Sequence, residues 1–471
     1  MSSTGRKASY RVVVVSAEAT HVARVGGLAD ATTGLVSSLR SQDVDTHLVV
    51  PDYGGVTLLD EDREPLPVPA WARPAFARHG WRPGIGQVTL ISTPSLTRSH
   101  PYVDPSTGAG WPDNDERFLE FSAAAAALIE LDPPDIVQLN DWHAAAVTSW
   151  LDPTTTTVLT IHNLAHQGET ALAKLGRLGP RNTAYARDGQ VNLLAGAISM
   201  ADLVCTVSPS YAAEIVENGK GNGLEALLRS RGSSLIGILN GLDLEEWCPS
   251  LNVRLPAAFD SSDLSGKLQC RRRLLARAGL EPADNKPVIG MVARLAEQKG
   301  VDIALDLVPL FAALGATLVL IGDGDPGLAG AARDAERRHP QTVRALPFDD
   351  RLAHLTVAGS DLLLMPSRFE PCGLPQMQAM LNGTLPVVTR VGGLRDTVID
   401  ADERPTRGTG FVASHPTAVS VADAVARAVR AWHDPKRRRA IQCRAMTSDW
   451  SWHDPTRRLI ERHRRLIGLV N

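Results

Sequence analysis

Two successive series of short, continuous apolar runs, each followed by an Ala- and Leu-rich stretch, constrain this chain more than any other feature. The first series falls at residues 11–16, 46–51, 88–92, 136–139, 158–161, 203–207 and 236–239, and the second at 288–292, 317–321, 343–346, 362–365 and 386–389. A strand with one solvated face alternates apolar and polar residues. These runs are mostly apolar and do not alternate, which predicts parallel sheets covered on both faces by the intervening helices. A polar, Pro-bearing and Arg-rich stretch at 251–284 separates the series and reads as a hinge. The expectation is an α/β chain of two Rossmann-like domains, residues 1–250 and 251–448, followed by a terminal segment 449–471. Ligands of such sheets bind beyond the carboxyl ends of the strands, so two domains facing each other make a deep cleft.

The stretch from Leu362 to Asp400 is the richest in chemistry. A buried strand ends at Met365, Ser367 to Glu370 emerge on a loop, and Gly373 leads into a helix near Pro375. Main-chain NH groups at such a turn can hold a phosphate, and Glu370 can accept hydrogen bonds from sugar hydroxyls. A second strand ending at Val388 repeats the construction, with Gly392 and Gly393 free to let main chain approach a ligand. Together these features suggest a sugar-nucleotide site.

Composition narrows the class. With 471 residues, 44% of them hydrophobic, the chain can build at least two full cores, and a net charge of −3 gives no general pull toward nucleic acid or anionic membrane. Five widely spaced cysteines without a CxxC pair indicate neither a disulfide framework nor a zinc site, and fit a reducing cytoplasm. The polar N-terminus and the lack of a bilayer-length apolar run give no support for export or a membrane anchor. Lysine is scarce beside arginine, so a lysine inside a motif, such as Lys299, carries more information. The basic runs 436–439 and 462–465 read as solvated helix faces rather than nucleic-acid contacts.

The motifs closely resemble those of the bacterial glycogen synthase and plant starch synthase family. They run in family order: SAEATHVARVGGLAD from Ser16, NDWH from Asn140 where the family has HDWH, TIHNLAHQG from Thr160, and TVSPSYAAEI from Thr206. GILNGLDLEEWCP follows from Gly237, ARLAEQKGVD from Ala293, SRFEPCGL from Ser367, and then GTLP and a GGL-DTV run. The resemblance implies a GT-B architecture, with acceptor bound mainly by the first domain and nucleotide sugar by the second. The final helix, roughly 453–469, would cross back to the first domain. The implied reaction moves α-glucosyl from ADP-glucose to the non-reducing-end 4-hydroxyl of an α-1,4-glucan with retention. No cofactor or metal is expected, and oligomeric state is left open.

Residue by residue, the resemblance implies catalytic positions at Arg294, Lys299, Glu370, His162 and Asp141. Arg294 and Lys299 would neutralise the departing diphosphate, where fixed cations stabilise developing charge. Read in isolation, they are a solvated arginine and a surface lysine paired with Glu297. Glu370 would hold donor-glucose hydroxyls or, alternatively, cap a helix. His162 would position the sugar largely through its main chain. Donor contacts are implied at Arg24, Gly26, Gly27, Asn240, Phe348, Cys372, Gly373, Leu374, Gly392 and Gly393. Acceptor contacts are implied at Asp30, His143 and Asn163.

Alternatives remain open at several of these positions. Asn240 and Asp243 can be simple turn residues, Phe348 an ordinary core side chain, His143 a satisfied polar group at a strand end, and Asp30 a helix cap. Cys372 reads as a buried, inert thiol rather than a nucleophile. Asp323-Gly324-Asp325 reads as a glycine turn, not a metal motif. Arg24 departs from the family, which has lysine there; a planar guanidinium is not equivalent to an ammonium, so it is either neutral drift or a changed specificity. Two rivals are a related enzyme using UDP-glucose or a small acceptor, and a catalytically impaired glucan-binding protein.

Overall fold

The computed structural model describes residues 10–281 and 285–469; the polar stretch 1–9 and residues 282–284 of the expected hinge lie outside the described residues. The chain divides into two units, Met1–Gly241 with Trp452–Asn471, and Leu242–Ser451. The first boundary precedes residue 250 because the segment after Gly241 belongs to the second unit's packing. There Asp243 caps the turn of helix Leu244–Trp247, and Trp247 stacks on His354 at 3.9 Å between ring centroids. No helix among the described residues is long and apolar enough to cross a membrane.

The first unit is built on a nine-stranded sheet. Its strands are β1 (Arg11–Val15), β2 (Asp45–Pro51), β3 (Leu59–Leu66), β4 (Ala75–Arg82), β5 (Gly86–Ser92), β6 (Ile136–Asn140) and β7 (Thr156–Ile161). After a small antiparallel sheet of β8 (Glu169–Ala171), β9 (Ala186–Arg187) and β10 (Gln190–Asn192), it is completed by β11 (Leu203–Thr206) and β12 (Leu235–Gly237). The order is β12-β11-β7-β6-β1-β2-β5-β4-β3. Seven strands run parallel, and β3 and β4 add an antiparallel edge. That edge was not expected: β3 reads LDEDREPL, a charged and largely exposed strand that no apolar run announces. Helix His453–Leu466 packs in this unit. The Trp452 indole lies where a Cβ on Gly34 would be, and Tyr10 Oη meets His463 Nδ1 at 3.1 Å.

The second unit holds an all-parallel six-stranded sheet, β15-β14-β13-β16-β17-β18, from β13 (Val288–Val292), β14 (Thr317–Ile321), β15 (Val343–Leu346), β16 (Leu362–Met365), β17 (Leu385–Thr389) and β18 (Phe411–Ala413). Much of the expected hinge is a core helix of this unit, Ser265–Arg277. Its buried face runs Lys267, Cys270, Arg271, Leu274, Leu275 at helical spacing, and Arg271 pairs with Asp361 at 3.2 Å. The basic run 436–439 is likewise not a solvated face. Arg437 pairs with Asp402, Arg438 lies 5.0 Å over the Trp432 ring, and Arg439 donates to the Ser261 carbonyl.

Lys267 is the unusual member of that core. Its Nζ lies 2.8 Å from the carbonyls of Ala358 and Ser360, 3.0 Å from that of Asn382 and 2.6 Å from Thr384 Oγ1, joining three chain segments at one point. Burial draws its pKa down to about 8, which leaves it charged at neutral pH. Lys267→Met keeps most of the volume and strands those oxygens. The expected loss is roughly 3–5 kcal/mol of stability, read as a lowered urea midpoint for the second unit.

Candidate functional site

In each sheet the strand order reverses between two central strands, β1 and β6 in the first unit and β13 and β16 in the second. At such a point the connections leave in opposite directions and open a crevice beyond the carboxyl ends. The expected site residues sort into two groups, one in each unit.

In the second unit the loops after β13 and β16 are joined. Lys299 Nζ lies 2.9 and 2.7 Å from the two oxygens of Glu370, which is 4% exposed, and Ser367 Oγ donates to the same carboxylate at 3.1 Å. Lys299 therefore pairs with Glu370 and not with Glu297. Glu370 does not cap a helix either, since helix Pro375–Leu381 starts after Leu374 with no side-chain cap. A residue that the motif reading passed over sets this geometry. Arg368 forks onto Asp302 at 2.8 and 2.6 Å and donates to the Glu297 carbonyl at 2.7 Å, clamping one loop against the other. Gly300, at φ +65°, sits against the Pro366 carbonyl where any Cβ would collide.

Arg294 is exposed at the end of β13, near Gln298 Oε1 at 3.5 Å. Phe348 is 54% exposed, so it is no core side chain, and its N–H donates to Asp323 at 3.1 Å. Gly324 forms the expected turn, and Asp325 caps the helix Pro326–Arg338. Gly392 has φ +40°, while Gly393 abuts the Cys372 carbonyl and donates its N–H to the Glu370 carbonyl at 3.0 Å. Close approach at Gly393 is thus to neighbouring main chain. Cys372 is a buried free thiol, and Gly373, at φ +71°, turns the chain into the helix after Leu374.

The first unit's group centres on buried carboxylates. Glu18, after β1, is buried and accepts from the N–H groups of Val25 (2.8 Å) and Gly26 (3.1 Å) and from Tyr102 Oη (2.6 Å). It thereby shapes the turn into helix Gly27–Ser41, and burial holds its carboxyl above the usual range. Neither Glu18 nor Tyr102 stands out by sequence, although Glu18 lies inside the first motif. Arg24 faces Asp30 side-on, with Nε–Oδ1 and Nη2–Oδ2 both 3.0 Å; Asp30 is therefore an ion-pair partner inside the helix and not its cap.

Asp141 follows β6 in the left-handed region, at φ +56°, and its Oδ1 accepts the N–H groups of His162 (2.7 Å) and Asn163 (3.3 Å). Burial pushes its carboxyl up to about 7, against the pull of those two amides and with the help of Glu18's charge. His143 is enclosed by Tyr102, Phe118 and Trp142, and among the described residues its Nδ1 has no hydrogen-bond partner, so it is not the satisfied polar group considered above. Burial lowers its pKa to about 3 and that of His162 to about 4. Asn163 Oδ1 accepts from Ala165 N at 3.1 Å, and Asn240 shares with His162 the lining of a small cavity of about 40 Å³.

Among the described residues one grouping has the spacing of a metal site: Glu246, Asp350 and His354. The hydrogen bonds around it argue otherwise. Asn252 Oδ1 takes the Arg254 N–H at 2.9 Å, so its amide nitrogen faces His354 Nδ1 at 3.0 Å and leaves the ring proton on Nε2, the atom aimed at Glu246. Arg254 also reaches both carboxylates, at 3.0 and 3.5 Å. The residues fit an ion-pair cluster better than a ligand set.

Residues 11–230 match the starch synthase catalytic domain family, and residues 273–445 match the glycosyl transferases group 1 family. Glycogen synthase 2 of Geobacter metallireducens is 37% identical, with 94% of this chain and 96% of that protein aligned. Glycogen synthase of Halorhodospira halophila is 38% identical, again covering 94% and 96%. Among solved structures, the catalytic domain of starch synthase IV from Arabidopsis thaliana, bound to ADP and acarbose, superposes with a TM-score of 0.90 at 29% identity. That match covers 98% of this chain and 100% of that one. The fold class is accordingly GT-B, as the motifs implied.

Asp141 supports a prediction about pH. Its folded pKa lies above the unfolded value, so its contribution to stability is complete below about pH 4 and is lost as pH rises through about 7. Asp141→Asn keeps the acceptor oxygen, tolerates the left-handed backbone and removes the titration. The variant should gain roughly 2–3 kcal/mol on the parent between pH 5 and pH 8, measured as the difference in denaturant midpoints at the two pH values.

Proposed function

This chain belongs to the glycogen and starch synthase family of glycosyltransferases, and on that premise we propose that it transfers glucosyl from ADP-glucose to an α-1,4-glucan with retention. The observation that carries the reading is the Lys299–Glu370 pair beside the reversal point of the second sheet. It joins a cation suited to a departing diphosphate with a buried carboxylate suited to sugar hydroxyls, and both are held by the Arg368–Asp302 clamp. Arg294 adds a second cation on the same loop. His162 and Asp141 act in the first unit, with Asp141 positioning the His162 and Asn163 main chain rather than abstracting a proton.

Transfer runs by a front-face route in which the departing diphosphate takes the acceptor's proton. Charge on the departing diphosphate is met by fixed side-chain cations, so the proposed route calls on neither a carboxylate pair nor a metal. Glucan is the acceptor, with Asn163 and Asp30 as its candidate contacts, whereas His143 is buried among Tyr102, Phe118 and Trp142. Phe348, exposed on the carboxyl side of β15, is available to stack on the adenine. Five free cysteines agree with a cytoplasmic setting.

A second reading keeps the donor open, because Arg24, paired with Asp30, stands where the family offers a lysine, and a planar guanidinium is not equivalent to an ammonium. One assay separates the two. Purified protein is given glycogen and labelled ADP-glucose or UDP-glucose, with metal chelated. Incorporation from ADP-glucose is expected, and Lys299→Ala or Glu370→Gln should cut it by roughly 100-fold or more. Incorporation from UDP-glucose alone would replace the donor assignment, and unchanged rates in the two variants would remove the site assignment.

A further inference from the structure

Asn140 ends β6 immediately before Asp141, at the position where the resembled HDWH motif carries histidine. It is 1% exposed, and both ends of its amide are committed. Nδ2 donates to the Val15 carbonyl at 3.1 Å, and Oδ1 lies 3.0 Å from His162 Nε2. A main-chain carbonyl only accepts, so the contact to Val15 fixes which way the amide faces. Oδ1 then offers lone pairs alone, and the hydrogen in the second contact belongs to His162 Nε2. A neutral imidazole has one N–H, so Nδ1 bears the lone pair. Among the described residues Nδ1 makes no hydrogen bond.

We propose that Asn140 is a positioning residue that locks His162 in the Nε2–H tautomer, making Nδ1 an acceptor for a hydroxyl of the sugar bound at this crevice. The sugar as ligand rests on the reading given under Proposed function; the tautomer rests on the two contacts of Asn140. Asp141 and Asn140, adjacent in sequence, then divide the work: the carboxylate holds the His162 main chain and the amide orients its ring. Burial keeps the ring neutral. The titratable groups around it are Asp141, Glu18 acting on Asp141, and Cys205 across the small cavity, whose thiol burial pushes up to about 12. None of these is a cation, and none is a second acceptor on Nε2.

The test uses the full chain labelled with 15N-histidine, with Asp, Ala and His substitutions at residue 140 and His162→Gln to identify the ring signal. The parent should show a protonated Nε2 and an unprotonated Nδ1 across pH 5–9. In Asn140→Asp a carboxylate replaces the amide oxygen and favours the charged ring. The acid limb of the kcat/KM profile for the donor should then move up by about one pH unit or more. Asn140→Ala should lose the tautomer preference, and Asn140→His, which can donate or accept, should blur it. A purely structural role would lower the rate at every pH without moving the limb. An Nδ1–H tautomer in the parent, or an unmoved limb in a folded Asn140→Asp protein, overturns the proposal. If the parent transfers no glucosyl, the earlier reading falls, and the ring's 15N signals still decide this one.

Discussion

The two large sheets of this protein are parallel at their centres, and that constraint governs the rest. A parallel strand needs a crossover to return, so the carboxyl ends of all central strands emerge on the same side of each unit. The order reverses once per unit, which leaves one place in each where connections diverge and side chains have room. Polar groups at these ends lie at the border of a dry core and require partners from their own unit. Lys299 finds Glu370, Arg368 finds Asp302, Glu18 finds two amides and a phenol, and Asp141 finds two more amides. Each of these side chains is thus held by partners from its own unit.

The two groups arrange their charges differently. The second unit presents Lys299 and Arg294 at its crevice. The first presents buried carboxylates whose protons are held more tightly than usual, with Arg24 answered by Asp30. Buried carboxylates that accept main-chain N–H groups also stiffen loops. The turn before Gly27 and the turn at His162 are each held by one such oxygen, which spares them the ordering cost a mobile loop would carry on binding.

Much of this was legible in the residues. Apolar β-branched runs marked every central strand because those strands are buried on both faces, and the motif order placed the loops on them. What escaped reading did so for identifiable reasons. β3 is charged and exposed, so its pairing with β4 leaves no apolar signature. The helix Ser265–Arg277 hid because two of its inward positions are Lys267 and Arg271, which a hydrophobic count scores as outward. Glu297, near in sequence, was the alternative partner for Lys299; Glu370 lies far along the chain, and the pairing of β13 with β16 brings it to Lys299 in space. Phe348 could not be placed by composition, since a phenylalanine after a strand suits a core or a surface equally. The roles of Glu18 and Asn140 depend on three-dimensional hydrogen bonding that no spacing rule encodes.

Four oxygens converging on Lys267 Nζ resemble the coordination that many folds offer to a free monovalent ion. A dissociable ion stabilises its host by mass action, in proportion to the logarithm of its concentration, and is lost on dilution or dialysis. Here the cation is covalently part of the chain. Its effective concentration is set by the helix that carries it, so the knot joining Ala358, Ser360, Asn382 and Thr384 holds equally well in potassium-rich and potassium-poor surroundings.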